Sequence, residues 1–193
     1  MKRKVGVLAI QGAFREHRKV LEKLGCEVIE VRTSSDLQGI EGLIIPGGES
    51  TAIGKQLALD GFGEDIITAA AEGMPVFGTC AGMILLSKKI IGSEQYRLGL
   101  LDAVVKRNAF GRQVASFEAD LQIKGLDDDI RAVFIRAPYL LEVSPEVDIL
   151  AEYAEKIVFV RQGHILACAF HPELTEDSRI HEYFLKIVAE YQG

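Results

Sequence analysis

Pro75-Val76-Phe77-Gly78-Thr79-Cys80-Ala81-Gly82-Met83-Ile84-Leu85-Leu86 changes secondary structure within a single turn. The apolar run up to Phe77 suits a strand covered on both faces. It stops at Gly78, and a run of good helix formers follows the cysteine. A cysteine between a strand and a helix, with glycine two positions to either side, is the cysteine version of a nucleophile elbow. The turn is tight enough to demand glycine neighbours. It lifts the side chain out of the sheet and sets it beside the amino end of the next helix, where unpaired N–H groups and the helix dipole favour a thiolate. The competing reading is a small buried residue, the usual place of a free cysteine. The pentapeptide alone does not separate the two.

Upstream, Val5-Gly6-Val7-Leu8-Ala9-Ile10 is a continuous apolar run, as a central strand requires. After Gln11-Gly12 a helix carries Phe14, His17, Leu21 and Leu24 on one side and ends at Gly25. Residues 26–31 make a second strand and 43–45 a third. Strands alternating with helices predict a mostly parallel central sheet with helices on both faces, a three-layer α/β/α sandwich. His17 and Cys26 read as packing residues of these elements. The third strand runs into Pro46-Gly47-Gly48-Glu49-Ser50-Thr51, and two adjacent glycines there suggest backbone approaching a ligand. A phosphate-binding loop fails on spacing, because Gly54-Lys55 is followed by Gln56 instead of Ser or Thr. Helices are expected over 51–59 and 64–72. Gly47-Gly48 and Cys80 both fall at carboxyl ends of strands, where open α/β sheets bind their ligands.

Downstream, short segments of β-branched character at 100–105, 113–117, 133–135, 149–153, 157–160 and 165–170 follow one another. Turn signals at Lys124-Gly125, Ser144-Pro145 and Gln162-Gly163-His164 predict β-hairpins added to the core in the C-terminal half. Asp127-Asp128-Asp129 reads as a solvated turn and His164 as a turn residue. The last strand ends in Ala169-Phe170-His171-Pro172-Glu173-Leu174-Thr175. Pro172 pushes His171 away from the helical region. In an extended segment residues two apart project to the same side, so His171 and Glu173 should point together. A carboxylate beside an imidazole fixes its tautomer and stabilises its charged form. Thr175 then reads as a helix N-cap, with Glu176 and Asp177 in the first turn. The closing helix should bury Ile180, Tyr183, Phe184, Ile187, Val188 and Tyr191, with His181 beside that stripe, structural or exposed.

Composition narrows the classes of function. A chain of 193 residues holds one domain with a sizeable core, and no stretch reads as a linker. Its net charge of -6 argues against a nucleic-acid or anionic-membrane surface, since phosphate contacts need clustered Lys and Arg. Cys26, Cys80 and Cys168 lie far apart with an odd total, which points to a reducing, cytoplasmic compartment and away from a disulfide framework or a cysteine zinc site. The basic start, Met1-Lys2-Arg3-Lys4, precedes an apolar run too short for a signal peptide and reads as the approach to a first strand. Nothing approaches the length of a membrane span.

Three strand ends therefore present a cysteine at an elbow, a glycine pair, and a histidine with a carboxylate. These are the nucleophile, oxyanion donors, base and orienter of an acyl-transfer site. Gly78-Thr79-Cys80-Ala81-Gly82 together with His171-Pro172-Glu173 resembles the triad of class I glutamine amidotransferases. Further runs resemble one branch of that family, the glutaminase subunits of pyridoxal 5'-phosphate synthase. They are Leu8-Ala9-Ile10-Gln11-Gly12 with Arg15-Glu16-His17, Pro46 through Thr51, Arg107-Asn108-Ala109-Phe110-Gly111-Arg112-Gln113, Ser116-Phe117-Glu118, Phe134-Ile135-Arg136-Ala137-Pro138 and Phe170 through Thr175.

The resemblance implies hydrolysis of L-glutamine to glutamate and ammonia. Cys80 would attack the side-chain amide, His171 would move the proton, and Glu173 would orient His171. The oxyanion would be held by the N–H of Ala81 and a backbone N–H at Gly47-Gly48. Substrate contacts would come from Gly47, Gly48, Glu49, Arg107, Ile135 and Arg136. Glu49 suits the ammonium group, and either Arg107 or Arg136 the carboxylate. The covalent thioester route needs only the protein's own groups, so no metal or organic cofactor is expected. The resemblance also implies a hetero-oligomeric complex with a synthase subunit that receives the ammonia through an internal path. Two rivals stay open at this point: a glutaminase serving another acceptor, and a non-catalytic cysteine-elbow sensor or binding module. An oriented His171–Glu173 pair separates the enzyme from the sensor.

Overall fold

The computed structural model describes residues 2–110 and 115–191. Its first half is laid down as strand–helix units: β1 (Lys4–Leu8), α1 (Phe14–Lys23), β2 (Glu27–Val31), β3 (Gly42–Ile45), α2 (Ser50–Leu57), α3 (Phe62–Ala71) and β4 (Val76–Thr79). β1 pairs in parallel with β2 and β3, and β3 with β4. Every residue of β3 and β4 is buried, as strands roofed by helices on both faces must be.

The second half continues with α4 (Ala81–Leu86), β5 (Ser87–Ile90), β6 (Leu101–Lys106), β7 (Ser116–Leu121), β8 (Ile130–Ile135) and β9 (Tyr139–Val143). It ends with β10 (Asp148–Tyr153), β11 (Lys156–Gln162), β12 (Ile165–Cys168) and α5 (Arg179–Tyr191). The main sheet runs β2-β1-β3-β4-β12-β11-β9-β6-β5 with β10 on β11, while β7 and β8 form a separate two-stranded sheet. β12 returns to lie parallel beside β4, Ile165 opposite Val76 and Cys168 opposite Thr79. That single insertion brings the His171 strand end next to the Cys80 strand end. Beyond β12 the sheet turns antiparallel through β11, β9 and β6. The architecture is thus the mixed α/β one expected, a mostly parallel core with hairpins added. Phe77, Phe134, Phe159, Phe170 and Phe184 are fully buried. Each such side chain contributes about 1.5–3 kcal/mol through burial. Phe184 of α5 meets Phe77 of β4 at 5.5 Å between ring centroids, so α5 covers the face of the elbow strand.

Several local expectations shift. α4 stops at Leu86, where the Ser87 hydroxyl donates to the Met83 carbonyl at 2.8 Å, and the chain turns at once into β5. β9 escapes the sequence pattern because Leu140-Leu141 breaks the alternation directly after Pro138. The strand expected from Gln113 falls partly outside the described residues; β7 is described from Ser116. Ser144-Pro145 does not close a hairpin, since β9 and β10 both lie along β11. The β10–β11 hairpin turns instead at Ala154-Glu155, both at positive φ. α5 begins at Arg179, later than the Thr175 cap implies, because Pro172–Leu174 forms a 3-10 turn. The Asp177 carboxylate accepts the Arg179 N–H at 3.0 Å and takes the capping role. On α5 Tyr191 is exposed, whereas His181 is completely buried. Among the described residues no helix is long and apolar enough to cross a membrane.

Candidate active site

Cys80 stands between β4 and α4 with φ 51° and ψ -103°, a strained backbone for a residue with a side chain. Close packing holds it there. A β-carbon on Gly78 would stand 2.5 Å from the Gly82 carbonyl carbon, and one on Gly82 would stand 2.2 Å from the Ile45 carbonyl oxygen. Strand, elbow and helix approach one another nearer than any side chain permits. The Cys80 N–H donates to the Cys168 carbonyl at 2.8 Å, tying the elbow to the end of β12. The Cys80 Sγ lies 3.8 Å from the Ile135 carbonyl.

His171 follows β12 with φ -109° and ψ 86°, outside the helical region as Pro172 dictates but short of the extended backbone expected. Its N–H donates to Val133 in β8 at 2.8 Å. Glu173 sits in the 3-10 turn and not in a continued strand, so the alternation argument does not describe the pair. The turn folds the carboxylate back, and Nδ1 of His171 meets Oε1 of Glu173 at 2.6 Å. Both side chains are buried. Burial opposes the imidazolium, but hydrogen bonds to Cys80 and Glu173 outweigh it and raise the His171 pKa to about 10. Burial likewise opposes the Glu173 charge, yet His17 and the hydrogen-bonded His171 hold that carboxyl below its usual range.

The glycine pair lies opposite. The Gly47 carbonyl accepts the Ala13 N–H at 3.0 Å, and the Gln11 side-chain carbonyl accepts the Glu49 N–H at 2.7 Å. The turn between β1 and α1 therefore braces the loop. Ala81 opens α4, where an N–H has no intrahelical acceptor. A pocket of about 400 Å³ is lined by Gly47, Gly48, Glu49, Cys80, Ala81, Arg107, Ile135, Arg136 and His171, with Glu173 behind His171. The Glu49 carboxylate also caps α2, accepting from Thr51 N at 3.0 Å and Ala52 N at 2.8 Å. Arg107 Nη1 donates to the Gln95 side chain at 2.8 Å. Arg136 takes φ 45°, and its N–H donates to Ala115 at 2.7 Å.

The sequence assigns Gln11 and Gln95 no role, and it reads His17 as a packing residue. Gln11 lies within a quoted run, but nothing in its spacing shows that its side chain would reach the glycine loop. His17 sat at a helical core position, and its polar partners come from elements far away in the chain. Among the described residues no group of His, Cys, Asp and Glu is arranged to hold a metal ion.

A strained cysteine at a strand–helix elbow, beside a histidine bonded to a buried carboxylate, has the chemistry of a cysteine acyl-transfer enzyme. Residues 7–190 match the model of the SNO glutamine amidotransferase family. The chain belongs to that family. It is 58% identical over 186 residues to the pyridoxal 5'-phosphate synthase subunit PdxT of Moorella thermoacetica, covering 96% of this chain and 99% of that protein. It is 60% identical over 184 residues to the subunit of the same name from Pelotomaculum thermopropionicum, covering 95% and 94%. A crystal structure of a glutamine amidotransferase superposes with a TM-score of 0.93 at 52% identity, covering 96% of this chain and 98% of the other.

Proposed function

We propose that this chain is the glutaminase subunit of a pyridoxal 5'-phosphate synthase. It hydrolyses L-glutamine to glutamate and passes ammonia to a synthase subunit. The observation that carries the reading is the 2.6 Å bond between His171 and Glu173, set by β12 beside the Cys80 elbow on β4. A sensing cysteine has no use for an oriented base.

In this reading the imidazolium of His171 and the sulfur of Cys80 form the resting pair. The sulfur attacks the Cδ carbonyl of glutamine, and the oxyanion that develops is met by the N–H of Ala81 and an N–H of the Gly47-Gly48 loop. His171 gives its proton to the departing nitrogen, ammonia leaves, and a γ-glutamyl thioester remains. Water, deprotonated by His171, attacks the thioester; glutamate leaves and the proton returns to the Cys80–His171 pair. Glu173 accepts the Nδ1 proton's hydrogen bond throughout and keeps the ring in one tautomer. Arg107 or Arg136 meets the substrate carboxylate and Glu49 its ammonium, across the pocket from Cys80. The whole chain acts as one catalytic unit. The synthase subunit shields the ammonia from protonation in bulk water. The test is glutamate release by the chain together with its synthase subunit, with a glutamine-mimicking electrophile labelling Cys80. Failure of both sinks the proposal.

A further inference from the structure

The mechanism leaves two buried histidines unused, and one of them touches the triad. His17 of α1 is completely buried. Its Nε2 lies 3.1 Å from the Thr79 hydroxyl and 3.4 Å from Oε2 of Glu173, and its Nδ1 lies 2.9 Å from Nε2 of His181 on α5. Oε2 of Glu173 and Nδ1 of His181 are buried with no hydrogen-bond partner among the described residues; His17 approaches Oε2 closely, while its Nε2 is hydrogen-bonded to the Thr79 hydroxyl.

Only one set of protons suits these contacts. A buried carboxylate oxygen is repelled by a ring lone pair and attracted by an N–H. Nε2 of His17 therefore carries hydrogen, and its Nδ1 is an acceptor. His181 then donates from Nε2 and keeps its bare Nδ1 lone pair unpartnered, which costs less than a buried N–H left without an acceptor. Burial keeps both rings neutral, with His17 lowered and His181 lowered to about 3. The charged or titratable groups facing His17 are Glu173, His171, Glu16 and His181, and Glu173 also faces Cys168.

We propose that His17 is a positioning residue of the site. As its Nε2–H tautomer, fixed by His181, it turns a polar N–H edge toward the second oxygen of Glu173 at 3.4 Å and so steadies the carboxylate against Nδ1 of His171. The triad would then be braced from two helices, α1 and α5, that pack behind the sheet. The catalytic consequence rests on the glutaminase reading, whereas the proton arrangement does not.

The experiment uses the full chain in three forms: wild type, His17→Leu and His17→Gln, whose amide N–H₂ can replace Nε2–H. Nitrogen-15 histidine spectra of the wild type near neutral pH should show Nε2–H tautomers for His17 and His181. An Nδ1–H tautomer at His17 overturns the proposal, and this readout needs no variant to fold. Alkylation of Cys80 by iodoacetamide, which needs no glutamine, should have its pH profile displaced upward in His17→Leu and restored in His17→Gln. With the synthase subunit present, kcat for glutamine should fall about 10- to 100-fold in His17→Leu, the cost of letting reacting groups drift by up to about 1 Å, with KM little changed. A folded His17→Leu variant with the wild-type alkylation profile and kcat overturns the proposal. If His17→Leu displaces the alkylation profile while the wild type with its synthase subunit never hydrolyses glutamine, the positioning role stands and the glutaminase reading falls instead.

Discussion

Gly47 lies so close to the His171 ring that a β-carbon on Gly47 would stand 2.4 Å from Cε1 and 3.1 Å from Nδ1. The same β-carbon would stand 3.3 Å from the β-carbon of Cys80. The bare glycine backbone is therefore the wall against which the base is set. Gly47→Ala must push the ring and the loop apart, and a displacement of about 1 Å at reacting groups costs on the order of 10²-fold. We expect kcat for glutamine to fall about a hundredfold while the circular dichroism spectrum stays unchanged. Full activity in this variant would show that the contact between Gly47 and His171 does not set the ring.

The second prediction concerns the nucleophile. Cys80→Ala should reduce glutamate release by at least about 10⁴-fold, as loss of a nucleophile in a concerted triad does. A glutamine-mimicking electrophile should label Cys80 and spare the other two cysteines. Cys168 is completely buried, and burial pushes its thiol well above the ordinary range; burial also raises Cys26. Peptide mapping that found the label on Cys26 or Cys168 would remove Cys80 from its role.

Substrate recognition supplies the third. Arg107 is held by the Gln95 carbonyl at the pocket edge. If its guanidinium meets the substrate carboxylate, Arg107→Ala should raise KM about 10- to 100-fold, the worth of a hydrogen bond to a charged group of about 1.5–3 kcal/mol, with kcat within a fewfold of wild type. Gln95→Leu should raise KM by less, since it only frees the guanidinium. The companion Arg136→Ala discriminates: a large KM effect there and none at Arg107 would reverse the assignment.

Much of this is legible in the amino-acid sequence. Continuous apolar runs place β1, β3 and β4, and the carboxyl-end rule puts Gly47 and Cys80 on one edge. Pro172 foretold that His171 leaves the helical region, though its ψ of 86° is short of a strand's. What escaped has a common cause, since it depends on partners distant in the chain. The side chains of Gln11 and His17 are given their meaning by Glu49 and Glu173, and no local periodicity around α1 contains those contacts. β9 was hidden because its alternation is broken and its pairing with β6 and β11 alone makes it a strand. The β10–β11 turn was hidden because Ala154 and Glu155 carry none of the residue types that announce positive φ. The Glu173 geometry came out right through the wrong route, a 3-10 turn performing what alternation along a strand was expected to do.

The buried histidines also fix how stability depends on pH. His181 titrates near 3 in the folded chain and at its ordinary 6.5 when unfolded, and His17 is lowered in the same sense. Below about pH 6.5 the unfolded chain thus binds protons that the folded chain refuses, so stability is lost as pH falls, for His181 by about 1.4 kcal/mol per unit, with His17 adding in the same direction. Glu173, held below its usual 4.5, adds to this acid limb as pH falls through its folded value. His171 acts with the opposite sign. It is raised to about 10, so between its ordinary 6.5 and that value the folded chain keeps a proton the unfolded chain has released, and stability falls as pH rises. Urea denaturation across this range should therefore give a maximum near neutrality. His181→Gln keeps an amide N–H toward Nδ1 of His17 and removes one titrating ring, so its acid limb should be shallower while its alkaline limb is unchanged. An identical acid slope in that variant would mean that His181 is already protonated in the folded chain, and the neutral pair behind Glu173 would have to be abandoned.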